Sequence, residues 1–249
     1  MYKPSSLITV LKKGSKIPEE YSPTITVPGG IPRPVLPRYC KDRALFLSKA
    51  VSEYQKGACI LWIENIVSES QEAYDYFCSK VKNDDVGLLH SRFTAWDRKD
   101  KEEKWTSRLG KNVDPLFRKA NPCILVGTQV CEQSLDIDAD VLYTSVCPMD
   151  MFIQRIGRTW RHRKFDSTRQ VPDPTVNWFG WDGQSIKKTL DKIDTLGSLK
   201  NDLLLLKRDW KSFCVYDPYV LAKSIEVLSP YKQLSIPGDI RKLLEATYA

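Results

Sequence analysis

The sequence predicts an α/β domain built on a mainly parallel sheet, on three features of its pattern. Short, wholly apolar runs such as "ACILWI" (58–63) and "CILVGT" (123–128) have the composition of strands covered on both faces. Longer segments with helical spacing lie between them, the alternation expected when crossover helices join parallel strands. Neither an internal repeat nor a low-complexity tract breaks that alternation.

Residues 1–41 are proline-rich, most densely at "IPRPVLPRY", and read as an extended arm or linker. The character changes at Asp42, a plausible N-cap for the helical segment "DRALFLSKAVSEYQ". The strand "ACILWI" follows, then the helix "SESQEAYDYFCSKV" (68–81), with Ala73, Tyr76, Phe77 and Val81 on one face. Next come the strand "VGLLH" (86–90), the charged amphipathic helix "WDRKDKEEKWTSRL" (96–109) and the strand "CILVGT". "DVLYTSV" (140–146) is a further strand, "MDMFIQRIGRTWR" (149–161) a helix, and "TVNWFG" (175–180) the last central strand. Residues 183–249 read as a lysine-rich helical insertion and a C-terminal extension on a domain spanning 42–182. Ligands of such sheets gather beyond the carboxyl ends of the strands, which places His90–Arg92, Thr128–Asp138 and the segment after Val146 around one edge.

Composition narrows the function classes. The formal charge of +7 over 249 residues favours a polyanionic partner without specifying one. Seven cysteines occur without a C-x-x-C pair and with only two histidines, which argues against a zinc site and for reduced, mostly buried thiols in a cytoplasmic protein. No apolar run reaches the ~20 residues needed to cross a bilayer.

Two segments carry chemistry. In "FIQRIGRTWRHRK" (152–164), helical spacing puts Gln154, Arg158 and Arg161 on one side and Ile153, Ile156 and Trp160 on another. Gly157 weakens a helix by about 1 kcal/mol relative to Ala, which points to a close approach there. A solvated basic face, a DNA-gripping surface and a catalytic site all fit this stretch; Arg155, Arg163 and Lys164 read as solvated charge. In "ILVGTQVCEQSLDIDAD" (124–140), a buried strand runs into Thr128 and then four acids, Glu132, Asp136, Asp138 and Asp140, whose spacing fits no EF-hand loop. Taken alone, that stretch is a surface turn. His90 and His162 read as structural or DNA-proximal, Trp62 and Trp178 as core, and Trp96 and Trp105 as packing their helix on the sheet.

In this order, "TQVCEQSLDID" and "QRIGRTWRH" resemble motifs V and VI of superfamily 2 helicases, in the form found in the CRISPR-associated type I helicase-nuclease family. "ILWIENIVSESQEAYDYF" (60–77) resembles motif IV and "LLHSRFTAWDRKDKEEKW" (88–105) the block after it. The tail from "VYDPYVLAKSIEVLS" resembles the segment C-terminal to the second lobe in that family. The resemblance implies a RecA-like second lobe, a mainly parallel sheet flanked by helices, with an extended N-terminal arm and a helical C-terminal extension. Arg158 and Arg161 would be arginine fingers on the γ-phosphate of ATP with Gln154 beside them, Asp136 would contact the ribose, and Gly157 would also belong to the nucleotide site. Thr128, Asn65, Ser91 and Arg92 would line a single-stranded DNA track. The implied partners are single-stranded DNA, a first RecA-like lobe with an HD nuclease, and the CRISPR surveillance complex. ATP and Mg²⁺ would be cofactors of the two-lobe enzyme, with none held by this chain alone. No G-x-x-x-x-G-K-[ST], D-E-x-[DH] or His-Asp pattern occurs in the sequence, so it is expected to lack ATPase and nuclease activity by itself. The other reading is a stand-alone binding or regulatory module that docks on the surveillance complex or the intact helicase.

Overall fold

Paired apolar strands form the centre of the structure, a computed structural model that describes residues 8–10, 19–21, 33–133, 135–180 and 214–248. Strands β1 (Ile8–Val10) and β2 (Glu19–Tyr21) pair antiparallel. The main sheet holds β3 (Arg33–Cys40), β4 (Ile60–Ile63), β5 (Val86–Leu89), β6 (Ile124–Gly127), β7 (Val141–Ser145), β8 (Thr175–Phe179) and β9 (Leu234–Ile236). Their order is β5-β6-β4-β7-β8-β3-β9, parallel throughout except at β9. The mainly parallel sheet predicted from the sequence is therefore present.

Helices cover both faces: α1 (Arg43–Gln55), α2 (Val67–Cys78), α3 (Ala95–Leu109), α4 (Pro115–Ala120), α5 (Val130–Gln133), α6 (Met149–Ile156), α7 (Pro218–Leu228) and α8 (Ile240–Tyr248). Asp42 accepts hydrogen bonds from the Ala44 and Leu45 N–H groups and starts α1, as an N-cap does. Because strand side chains alternate, Ile60 and Trp62 join Phe46, Phe77 and Tyr143 on one face, and Leu61 and Ile63 join Leu125, Leu142, Phe152 and Ile156 on the other. Trp62 and Trp178 are core, as expected. Trp105 is buried over Gly87, where an added Cβ would lie 2.0 Å from its ring. Trp96 instead points outward, 79% exposed, because it sits in the first turn of α3, ahead of the buried stripe.

Two segments set apart by the sequence join the central sheet. Arg33–Cys40, read as part of the arm, form β3: Arg33–Val35 pair with β9, and Leu36–Cys40 pair with β8. Prolines 34 and 37 survive there because each missing N–H faces a side without a partner. The Leu36 N–H points to Pro174 on the β8 side, so by alternation Pro34 faces that side before β8 pairing begins, and Pro37 faces the β9 side after that pairing ends. The tail folds back as α7, β9 and α8, placing Leu221, Ile225, Leu228, Leu234 and Leu243 in the core beside Phe152 and Ile156. The predicted 183–213 insertion lies outside the described residues, as does Ser134 in the motif V-like stretch.

The basic helix ends early. α6 stops at Ile156 with Gly157 as its C-cap, so Arg158 and Arg161 are not on a helix and the i, i+4, i+7 face predicted for Gln154, Arg158 and Arg161 does not form. Gly157 has φ −60, and a Cβ built on it would come within 3.2 Å of the Gln154 carbonyl, a tight contact with its own helix. The chain then turns through Trp160 at φ 51, a left-handed conformation that costs a bulky residue about 1–2 kcal/mol. Its N–H donates to Ala139 O (3.0 Å), its indole N–H donates to Asp140 O (2.9 Å), and the Arg169 guanidinium stacks 4.5 Å from its ring.

Candidate functional site: two faces joined through a buried arginine

Three segments converge at the carboxyl ends of the strands. Thr128 follows β6, with its N–H donating to Leu89 O (3.1 Å) and its side chain buried. Ser91 and Arg92 follow β5 and are exposed. Between them His90 is buried and stacks on Phe93 at 4.1 Å, and burial lowers its pKa. Asn65 does not belong to this surface, contrary to its predicted place on a DNA track. It is 3% exposed, its amide donates to Val146 O (2.7 Å), and its Oδ1 accepts from Arg155 (3.0 Å).

Arg155 is the residue that sequence reasoning missed. Expected to be solvated charge, it is fully buried. Its guanidinium donates to Glu132 Oε1 (2.7 Å), Thr144 Oγ1 (2.6 Å), Ser145 O (3.2 Å) and Asn65 Oδ1 (3.0 Å). Burial pushes the Glu132 carboxyl above its usual range against the pull of Arg155, and among the described residues its Oε2 has no partner. Gln129 extends the network by donating to Asn65 O (3.0 Å) and to the Tyr216 hydroxyl (3.0 Å) in the tail. The available signal was the spacing Phe152, Arg155, Ile156: an arginine inside the buried stripe of an amphipathic helix.

The second face is made where the two chemistry-bearing segments run side by side. Ala139 and Thr159 form a parallel bridge, with Ala139 N donating to Arg158 O (2.9 Å). This brings Asp136 to Arg161 (Nε–Oδ1 3.3 Å) and to His162 (Nε2–Oδ1 3.1 Å). Arg158 lies half-buried beside them and donates to the Glu132 carbonyl, while its Nε has no partner among the described residues. Among the described residues it makes no ion pair, and burial followed by the nearby Arg161 lowers its pKa. Gln154 and Gly157 are exposed at the end of α6.

Of the four acids, Asp138 and Asp140 are spent elsewhere. Asp140 lies at the amino end of β7, and Arg169 bonds both Asp138 (2.8 Å) and Asp140 (2.7 Å), with Arg118 also on Asp140 (2.9 Å). Asp138 is thus away from the strand edge where it was predicted. Among the described residues no group of three His, Cys, Asp or Glu side chains could hold a metal.

Similar chains are found among known proteins. The family model described as "CRISPR-associated nuclease/helicase Cas3, C-terminal" matches residues 56–164. The CRISPR-associated nuclease/helicase Cas3 of Streptococcus thermophilus is 45% identical over 192 residues, covering 77% of this chain and 18% of the relative. The chain belongs to the Cas3 helicase family. Two solved structures share the fold of this Cas3-type C-terminal lobe. T. fusca Cas3 with ATP matches at a TM-score of 0.69 and 23% identity, covering 87% of this chain and 24% of that one. A chain of a CRISPR RNA-guided surveillance complex in a pre-nicking state matches at 0.65 and 24%, covering 87% and 25%. The chain therefore spans about a fifth to a quarter of the length of these relatives.

Proposed function

We propose that this lobe supplies the arginine half of an ATP site and part of a single-stranded DNA track to an ATP-driven translocase of type I CRISPR interference. The observation that carries this reading is Arg158: a half-buried guanidinium beside Arg161 that, among the described residues, has no ion-pair partner and an Nε without a hydrogen bond. Such a group lacks an anion, and a planar guanidinium suits a transferring phosphoryl group because it donates in parallel and keeps its charge. Arg158 and Arg161 are the arginine fingers, Gln154 stands next to them at the end of α6, and Asp136 takes a ribose hydroxyl. ATP, when bound with Mg²⁺, supplies the phosphoryl group to be transferred. Because the sequence contains no P-loop pattern, its phosphates are cradled by the first lobe, which in this family accompanies an HD nuclease. The surveillance complex delivers the DNA.

The test is to assay ATP hydrolysis by this lobe alone and with the P-loop lobe added. No hydrolysis alone and DNA-stimulated hydrolysis together are expected. If the added lobe restores nothing while this lobe still binds the surveillance complex, it is a docking module instead.

On the DNA side, Ser91 and Arg92 are the exposed proposed contacts, Thr128 is the contact at the end of β6 beneath them, and Asn65 is held below the surface by Val146 and Arg155. Thr128→Ala combined with Arg92→Ala is expected to weaken single-stranded DNA binding to a similar extent on oligonucleotides of different sequence. The slope of log affinity against log salt is expected to become shallower by about 0.7, the share of one phosphate contact on a single strand. Fluorescence anisotropy across a salt series measures both, and a loss confined to one sequence would contradict backbone contact.

A further inference from the structure

We infer that His162 is the positioning residue that keeps Asp136 aimed at the nucleotide ribose when Arg161 moves to the phosphates. This rests on the ribose role proposed above for Asp136. Two side-chain nitrogens share one oxygen of Asp136: Arg161 Nε at 3.3 Å and His162 Nε2 at 3.1 Å, both on Oδ1. They differ in how they are held. The Arg161 side chain is 39% exposed, and Asp136 is its only ion pair among the described residues. A long flexible side chain in that setting is free to leave.

His162 is tied down on three sides and only 14% exposed. Its N–H donates to Asp138 Oδ2 (2.7 Å), its carbonyl accepts from Arg169 (3.3 Å), and its ring meets Phe165 edge-on at 6.2 Å. Asp138 and Arg169 are themselves a fully buried pair, so the backbone beneath the imidazole is fixed. A carboxylate oxygen only accepts, so Nε2 carries the proton in this contact. If Arg161 departs, the His162 hydrogen bond remains on Oδ1 and leaves Oδ2 directed outward. An acid on a loop, 44% exposed, would otherwise lose its orientation at the moment it is needed.

The experiment uses the full-length, ATP-hydrolysing protein and compares kcat/KM for ATP with that for 2′-deoxy-ATP and 3′-deoxy-ATP. Wild type is expected to favour ATP over the analogue lacking the contacted hydroxyl by about tenfold, the value of one hydrogen bond to a charged group. In His162→Phe that ratio falls to about 2 and in His162→Gln, which still reaches Asp136 with an N–H, most of it returns. A merely structural role would lower both rates together and leave the ratio unchanged. If His162→Phe melts far below wild type, His162→Asn, polar but too short for Asp136, reads the same ratio. A ratio lost in Asp136→Ala but kept in the His162 variants overturns the inference while leaving Asp136 on the ribose. A ratio kept in Asp136→Ala overturns the ribose reading and the inference with it.

Discussion

Arg158→Ala in the two-lobe protein is expected to lower the ATP hydrolysis rate at saturating ATP and DNA by about 10³-fold or more, the range for removal of an arginine finger. Arg161→Ala has an effect of the same order. The size follows from where the charge sits. Arg158 is half-buried, its guanidinium anchored on the Glu132 carbonyl, and no carboxylate among the described residues neutralises it. A cation kept poor in water acts more strongly on the charge that develops during phosphoryl transfer. Since that charge appears chiefly in the transition state, the change falls on kcat and leaves the KM for ATP within about tenfold. Arg158→Lys restores little, because an ammonium on a flexible stem cannot hold the Glu132 carbonyl and a phosphate oxygen in one planar fork. Steady-state kinetics checks this directly; kcat within threefold of wild type would remove Arg158 from the site.

Arg155→Met destabilises the fold by about 3–5 kcal/mol, the usual result of leaving a buried charge without its partner. Arg155 and Glu132 are both fully buried, and removal of the guanidinium strands the Glu132 carboxylate, Asn65 Oδ1 and Thr144 Oγ1 together. The partner substitution distinguishes charge from volume. Arg155→Met combined with Glu132→Leu recovers a large part of the loss, since a buried pair replaced by apolar side chains is often close to neutral. Urea denaturation gives both values. If Arg155→Met costs under about 1 kcal/mol, the network is not what fixes α6 against β7.

Much of this was legible in advance, for physical reasons that differ by residue. The central strands β4, β6 and β7 fell within a residue or two of their predicted places, because short apolar runs flanked by polar turns leave few alternatives. Arg33–Cys40 did not, because proline reads as a strand breaker and only the three-dimensional neighbours reveal that Pro34 and Pro37 face no partner. The helix through Arg161 was drawn too long because Ile153, Ile156 and Trp160 keep helical spacing past the real stop, the C-cap Gly157. Arg158, Arg161 and Asp136 were named from their order in the chain and do share one face, although a bridge between two loops, not a helix face, brings them together. Asn65 and Arg155 were misplaced for one reason. A polar residue at a strand end and an arginine in a basic run both default to solvent, and their partners, Val146 for Asn65 and Glu132 for Arg155, are far away in sequence.

Binding of a transition-state mimic tests the proposed role of the arginines most directly. ADP with aluminium fluoride imitates the phosphoryl group in transit, whereas ADP alone does not. With single-stranded DNA present, the wild-type two-lobe protein is predicted to hold ADP–fluoroaluminate at least about 100-fold more tightly than ADP, and Arg158→Ala and Arg161→Ala to lose that excess while binding ADP as wild type does. If either variant retains the mimic as tightly as wild type, that arginine does not reach the phosphates.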